Sequence, residues 1–242
     1  MSTARAAFVS SFLLLSACAA HAEDKKEAPA SQGTAQQVPD FRGVAVSHGI
    51  HAEVKRGAKS VRLEGPADLV SRVKLEVEDG VLVTRVERQG LFNTGFRGGK
   101  VRLYVTNPKV ESLSASGGGS IEAEATSTDA FSAEASGGGT IDVRDVDARK
   151  VQAEASGGAR VTLSGRAQEL DAEASGGSVV KALDMQGVKT LEAEASGGAR
   201  VEADATERVS GEASGGSVIR LVSRPGQSDV DASGGSKVVY DQ

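Results

Sequence analysis

From Phe41 onward, apolar and polar residues alternate one for one along most of the chain. Val44 and Val46, then Ile50, Ala52 and Val54, then Val61 and Leu63 keep a period of two. Val73, Leu75 and Val77 continue it, followed by Val81 and Val83 and later by Val101, Leu103 and Val105. A period of two marks strands with one buried face. Asp79-Gly80 between two such runs predicts a tight hairpin, and Asn107-Pro108 ends the last of them.

Beyond Val110 the alternation becomes a repeat. Ala-Ser-Gly-Gly recurs at Ala115, Ala135, Ala155, Ala174, Ala195, Ala213 and Ala232, at intervals of 20, 20, 19, 21, 18 and 19 residues. Six residues after these alanines stand Ile121, Ile141, Val161, Val180, Val201, Ile219 and Val238, all β-branched. Two further on come Ala123, Val143, Leu163, Ala182, Ala203, Leu221 and Tyr240. Ahead of the corner, Phe131, Val151, Leu170, Leu191 and Val209 lie four residues before the alanine, and Ala133, Ala153, Ala172 and Ala193 two before. Each coil thus predicts two short strands, one ending at a Ser-Gly-Gly corner and one leaving it. β-branched residues favour strands, and Gly-Gly supplies the positive φ of a tight corner. Paired glycines in every coil and the lack of a 3.6-residue period argue against helix.

A unit of this length is too short to fold alone and buries its apolar face only by stacking on its neighbours. Stacked parallel coils make a β-helix. At about 4.8 Å per coil, seven coils span about 34 Å. Aromatic residues are only 3% of the chain and Trp is absent, so Val, Leu, Ile and Ala must build the core. That composition suits a narrow, regular interior. The net charge of −5, without a basic stripe, argues against a nucleic-acid partner.

Residues 1–22 read as an export signal: Arg5, an apolar run from Ala6 to Leu15, then small residues. The run is too short to span a bilayer as a stable helix. Leu15-Ser16-Ala17-Cys18 resembles a bacterial lipobox, which would lipidate Cys18, and Ala19 behind it points to the outer membrane. Ala20-His21-Ala22 instead fits ordinary signal peptidase, which would release a periplasmic or secreted protein. Both cleavages stay open. Cys18 is the only cysteine, so no intrachain disulfide forms. Residues 23–40 are polar and read as a flexible linker. Residues 41–242 then form one domain, a capping region at 41–109 and the Ser-Gly-Gly coils at 110–242.

The run Phe41-Arg42-Gly43-Val44-Ala45-Val46, the strand Val101-Arg102-Leu103-Tyr104-Val105 leading to Asn107-Pro108, and the Ser-Gly-Gly ladder resemble the head GIN domain family of auto-transporter adhesin heads. The resemblance covers Phe41 to Gln242, and the ladder is its specific part. It implies an all-β fold, a right-handed single-stranded parallel β-helix (a solenoid) on exported bacterial proteins. The implied role is adhesion or surface interaction, with no catalytic residues to carry over. Other repeats fit less well. Calcium-binding rolls need Asp after the glycines, whereas Ser120, Arg160 and Arg200 follow the corner here. Hexapeptide coils need an aliphatic residue every six. Curli-like ladders need Gln and Asn, but Asn occurs only at Asn93 and Asn107. Ice-binding Thr-x-Thr columns are absent.

Stacking turns equivalent residues into columns. One column is acidic: Glu134, Glu154, Glu173, Glu194, Glu212 and Asp231, with Ser114 in the first coil. Like charges about 4.8 Å apart repel by roughly 1 kcal/mol per pair in water before screening, and like charges on adjacent strands destabilise. The column therefore reads in three ways: a ladder that binds divalent cations, one paired with Arg160, Arg200 and Lys237 across the corner, or a solvated face that maintains solubility. A second column is Ser116, Ser136, Ser156, Ser175, Ser196, Ser214 and Ser233, read as corner residues whose hydroxyls satisfy turn backbone rather than as nucleophiles. His48 and His51 are three apart and would face opposite sides of a strand, which disfavours a metal site. Phe92 and Phe96 lie in a flexible Gly-rich loop that reads in two ways: aromatics that contact sugars or a partner surface, or a segment that caps the solenoid end or stays disordered.

These residues predict no cofactor and no catalytic site. The chain reads as a non-enzymatic exported envelope protein, an adhesion or surface-interaction module with a polysaccharide or protein ligand. Membrane contact comes only through a lipid anchor, and self-association is left open. The competing readings are an envelope assembly or signalling protein and a polysaccharide-active β-helix enzyme. The enzyme would need groove walls built from long inter-coil loops, for which the even spacing leaves no room.

Overall fold

The computed structural model describes residues 33–87 and 101–241. The export segment with Cys18, residues 23–32 of the linker, and the loop with Phe92 and Phe96 lie outside them. In chain order the elements are β1 Thr34–Ala35, β2 Gly43–Val46, β3 His51–Arg56, β4 Ser60–Glu64, α1 Ala67–Val70, β5 Val73–Glu78, β6 Val81–Val86 and β7 Arg102–Asn107. There follow β8 Ser112–Ala115, β9 Ser120–Glu124, β10 Ser127–Ala135, β11 Thr140–Ser156, β12 Arg160–Ser175 and β13 Val179–Gln186. The chain closes with β14 Thr190–Ser196, β15 Arg200–Ala203, β16 Arg208–Ala213, β17 Val218–Leu221, β18 Gln227–Ala232 and β19 Lys237–Tyr240. The protein is nearly all-β, a parallel β-solenoid with coils of about 20 residues, as the repeat predicts.

Successive coils pair in parallel and in register. Before the corner, Phe131, Val151, Leu170, Leu191 and Val209 pair in turn, and the alanines beside them do the same. After the corner, Ile121, Ile141, Val161, Val180, Val201, Ile219 and Val238 form one unbroken column. Burial alternates as the period of two requires: Val161, Leu163, Leu170, Ala172 and Ala174 of β12 are all buried. The alanine columns keep the interior thin, and Phe131 is its largest fully buried side chain.

Three features depart from the sequence reading. The two strands of a coil are not separated on their far side, because β11 and β12 pair almost continuously across it with one register shift between Val143 and Val146. Asp145 at φ 57° and Gly165 at φ 133° make that bend, so no glycine pair marks it. Secondly, the capping region supplies two coils of the solenoid itself. β2 pairs with β6 on one side and β8 on the other, and β3 with β7 and β9. The rung formed first in the chain is therefore clamped between two formed later, and the chain crosses it between Asn107 and Ser112. Buried Asn107 holds the crossing, its amide donating to the carbonyls of Phe41 at 2.8 Å and Lys109 at 2.6 Å. Thirdly, residues 34–35, assigned to the linker, pair antiparallel with β4 at Arg62 and Leu63. Backbone pairing on an open strand edge needs no apolar residue, so a polar segment can do it.

The predicted hairpin is present. β5 and β6 are antiparallel about Asp79 and Gly80, at φ 49° and 79°. With β4, antiparallel to β7, the hairpin covers one end of the shaft.

Candidate functional site

The acidic column is a true ladder. Ser114, Glu134, Glu154, Glu173, Glu194, Glu212 and Asp231 are direct strand partners in sequence. Glu134, Glu154, Glu173 and Glu194 each lie between two buried alanines and so point outward. The serine column stands two residues on, facing the same way. Together the two columns line an open trough of about 300 Å³ whose sides run from Glu134 and Ser136 to Glu212 and Ser214, with Ala135, Ala155, Ala174 and Ala195 between them.

The proposed basic partners do not reach it. Among the described residues, no ladder carboxylate forms an ion pair. Arg200 approaches Glu202 at 3.9 Å instead, and Arg160 and Lys237 stack in a column with Thr140, Val179, Arg200 and Val218 on the strand that leaves the corner. The corner turns that strand onto a different face. What the ladder does receive are neutral donors from two residues before: Gln152 to Glu154 at 2.8 Å and Ser132 to Glu134 at 3.4 Å.

At the centre of the row, burial first and then the charges of Glu154, Asp171, Glu194 and Glu192 push the Glu173 carboxyl above its ordinary 4.5. The sign follows from proton linkage. A carboxyl with a raised folded value contributes stability that is full below about pH 4.5 and is lost as pH rises through that value. Asp129, lowered by its hydrogen bond and charge contact with Arg149, and Glu111, lowered chiefly by its hydrogen bond from Lys109, act oppositely. Their contributions are lost as pH falls through their lowered values. Stability measured by urea titration across pH should therefore peak on the acid side of neutrality. Glu173→Gln should flatten the descent from that peak toward pH 7.

The serine hydroxyls do something other than expected. Among the described residues none of the seven hydroxyls makes a hydrogen bond. The serine backbone closes the corner, Ser136 N–H donating to the Ala115 carbonyl and its own carbonyl accepting from Gly139 N–H, both at 2.9 Å. Hydroxyls that satisfy buried carbonyls come from Ser178, Ser217 and Ser236, just past the glycine pair. A serine three residues after another serine, in a slot otherwise held by Gly or Ala, was the available signal.

His48 is not in a strand. With φ 59° beside Gly49 at 78°, it occupies the first glycine position of a corner, and Ile50 N–H reaches the Ser47 carbonyl as Gly119 N–H reaches that of Ser116. Ser47-His48-Gly49 is thus a degenerate earlier copy of the corner. The imidazole Nδ1 of His48 lies 2.7 Å from Ser47 Oγ and that of His51 2.7 Å from Ser120 Oγ. Neither joins a cluster, and among the described residues no group of three His, Cys, Asp or Glu is placed to hold a metal ion.

Stacked β-coils in register, with polar groups in columns rather than convergent on one point, define a β-solenoid. The family profile described as "Putative auto-transporter adhesin, head GIN domain" matches residues 40–225, and the chain belongs to that family. Among solved structures, the fold is similar to a "putative adhesin" of Bacteroides fragilis, with a TM-score of 0.77 and 18% identity over 86% of this chain and 95% of that one. A "putative lipid binding protein" of Parabacteroides distasonis gives 0.70 at 15% identity, covering 87% and 96%. A "putative adhesin" of Parabacteroides merdae gives 0.59 at 13%, covering 87% and 95%. At these identities the likeness concerns the fold. No curated protein matches the sequence.

Proposed function

We propose that this protein is a non-enzymatic exported envelope module whose solenoid mediates adhesion or surface interaction. The observation that carries the reading is the ladder itself. Its carboxylates and the hydroxyls beside them repeat at one strand spacing per coil along the trough, which suits contact with an extended surface. General acid–base chemistry needs groups converging on one reacting bond instead. The family and its adhesin-named relatives support the same view. The ligand class is an envelope polysaccharide or protein. The lipobox at Cys18 would present the shaft on the outer membrane, whereas cleavage after Ala22 would release it.

Deletion of the gene in its host tests this directly. The expected result is reduced attachment to surfaces or neighbouring cells with unchanged sensitivity to envelope stress. Unchanged attachment with increased stress sensitivity would support an assembly role and sink the adhesion reading. Turnover of glycans, seen as new reducing ends, would establish an enzyme. The mass of the mature N-terminus decides between the tethered and the released form.

A further inference from the structure

The two faces that meet at the Ser-Gly-Gly corner carry opposite charge. Five consecutive coils each place an acid before the corner, Glu154, Glu173, Glu194, Glu212 and Asp231. The same five each place a base after it: Arg160, Lys181, Arg200, Arg220 and Lys237. These bases alternate between two neighbouring outward columns, since Arg160, Arg200 and Lys237 share one and Lys181 and Arg220 the other. Arg200 and Arg220 have ion-pair partners in Glu202 and Asp241. Among the described residues, Arg160, Lys181 and Lys237 form no ion pair, and neither does any acid of the ladder.

Toward the capped end the pattern changes on both faces together. Behind the corner stand Glu53, Glu122 and Asp142, while before it stand Ala45, Ser114 and Glu134. The neutral coils of one face thus match acidic coils of the other, and only Glu134 against Asp142 is a like pair. Because both sets repeat at the strand spacing, a second shaft laid alongside with its axis parallel and its coils level sets a base against each of five acids. At three of those coils (Arg160, Lys181 and Lys237) the base has no ion pair of its own among the described residues, whereas Glu202 and Asp241 already partner the other two.

We infer that the occupant of the acidic face is a second copy of this chain, docked side by side through its post-corner basic face. The contact is heterologous, so it leaves a free face of each kind and propagates as a row rather than closing. Five coils at about 4.8 Å and four residues of strand cover roughly 300 Å² per copy. That is far below a standard interface, so the association is weak, electrostatic and salt-sensitive.

Sedimentation of the full chain tests it. At about 20 mM salt the weight-average mass should rise at least about 1.5-fold as protein concentration goes from about 10 μM to about 1 mM, and at about 500 mM salt it should stay monomeric. Glu154→Lys/Glu173→Lys/Glu194→Lys leaves both faces basic, and Arg160→Glu/Lys181→Glu/Lys237→Glu leaves both acidic. Each variant alone should remain monomeric in low salt, and an equimolar mixture of the two should associate. A wild-type chain that stays monomeric in low salt would overturn the inference, with no variant needed. So would association that survives high salt, or that persists in either variant alone.

Discussion

Gly211→Ala should cost about 3–5 kcal/mol of stability, the sum of backbone strain and a clash that must move a rung. Gly211 stands in the column of Ala133, Ala153, Ala172 and Ala193, where a side chain would look harmless by sequence. Its φ is 141°, outside the range L-residues adopt. A Cβ there would collide with the Ala193 carbonyl oxygen and come within 2.7 Å of its carbon and 2.9 Å of the Ala193 nitrogen. Those atoms belong to β14, which cannot retreat without breaking its own ladder to β16. Gly216→Ala is the control. It has positive φ but open space around the added carbon, so only the left-handed strain of about 1 kcal/mol applies. Because coils couple chiefly to their nearest neighbours, Gly211→Ala should loosen β16 to β19 first. Hydrogen exchange should show protection lost there while β10 to β12 retain it.

The second expectation runs in the opposite direction. Glu154→Gln/Glu173→Gln/Glu194→Gln should stabilise the protein by roughly 1–3 kcal/mol at neutral pH and low salt, because it removes several repulsions of about 1 kcal/mol each before screening. Side-chain amides stacked at strand spacing can also hydrogen-bond to one another. Sodium chloride should raise the wild-type melting midpoint and leave that of the triple variant nearly unchanged. Calcium tests the cation reading: a rise beyond that given by sodium chloride at equal ionic strength, reversed by EDTA, would support ion binding by the ladder. No excess rise would remove it.

The solenoid was legible because its two strongest signals are local. A β-branched residue six positions after each alanine and a glycine pair at each corner specify strand, corner and next strand within one coil. The same spacing then fixes axial register, which is why the ladder from Glu134 to Asp231 can be read from the order of residues alone. Non-local order was not legible. β2 carries the same alternation as β6 and β8, and nothing in a period of two says that it lies between them. Ser47-His48-Gly49 escaped notice because histidine, with its polar ring, can take the left-handed conformation that glycine supplies elsewhere. The bases after the corner were visible as residues, but not the face they occupy. Arg160 and Lys237 looked near the ladder by count, yet the corner turns them away from it.

Both the trough and the charged faces exist only if equivalent residues stand one over another along the shaft. Nitroxide labels at Glu134→Cys and Asp231→Cys, with Cys18 replaced by Ser, measure that stacking by dipolar electron resonance. Five strand spacings separate the two positions along one column, so a single narrow distance of about 24 Å is expected. A broad distribution, or a distance beyond about 40 Å, would mean that the coils do not stack in register.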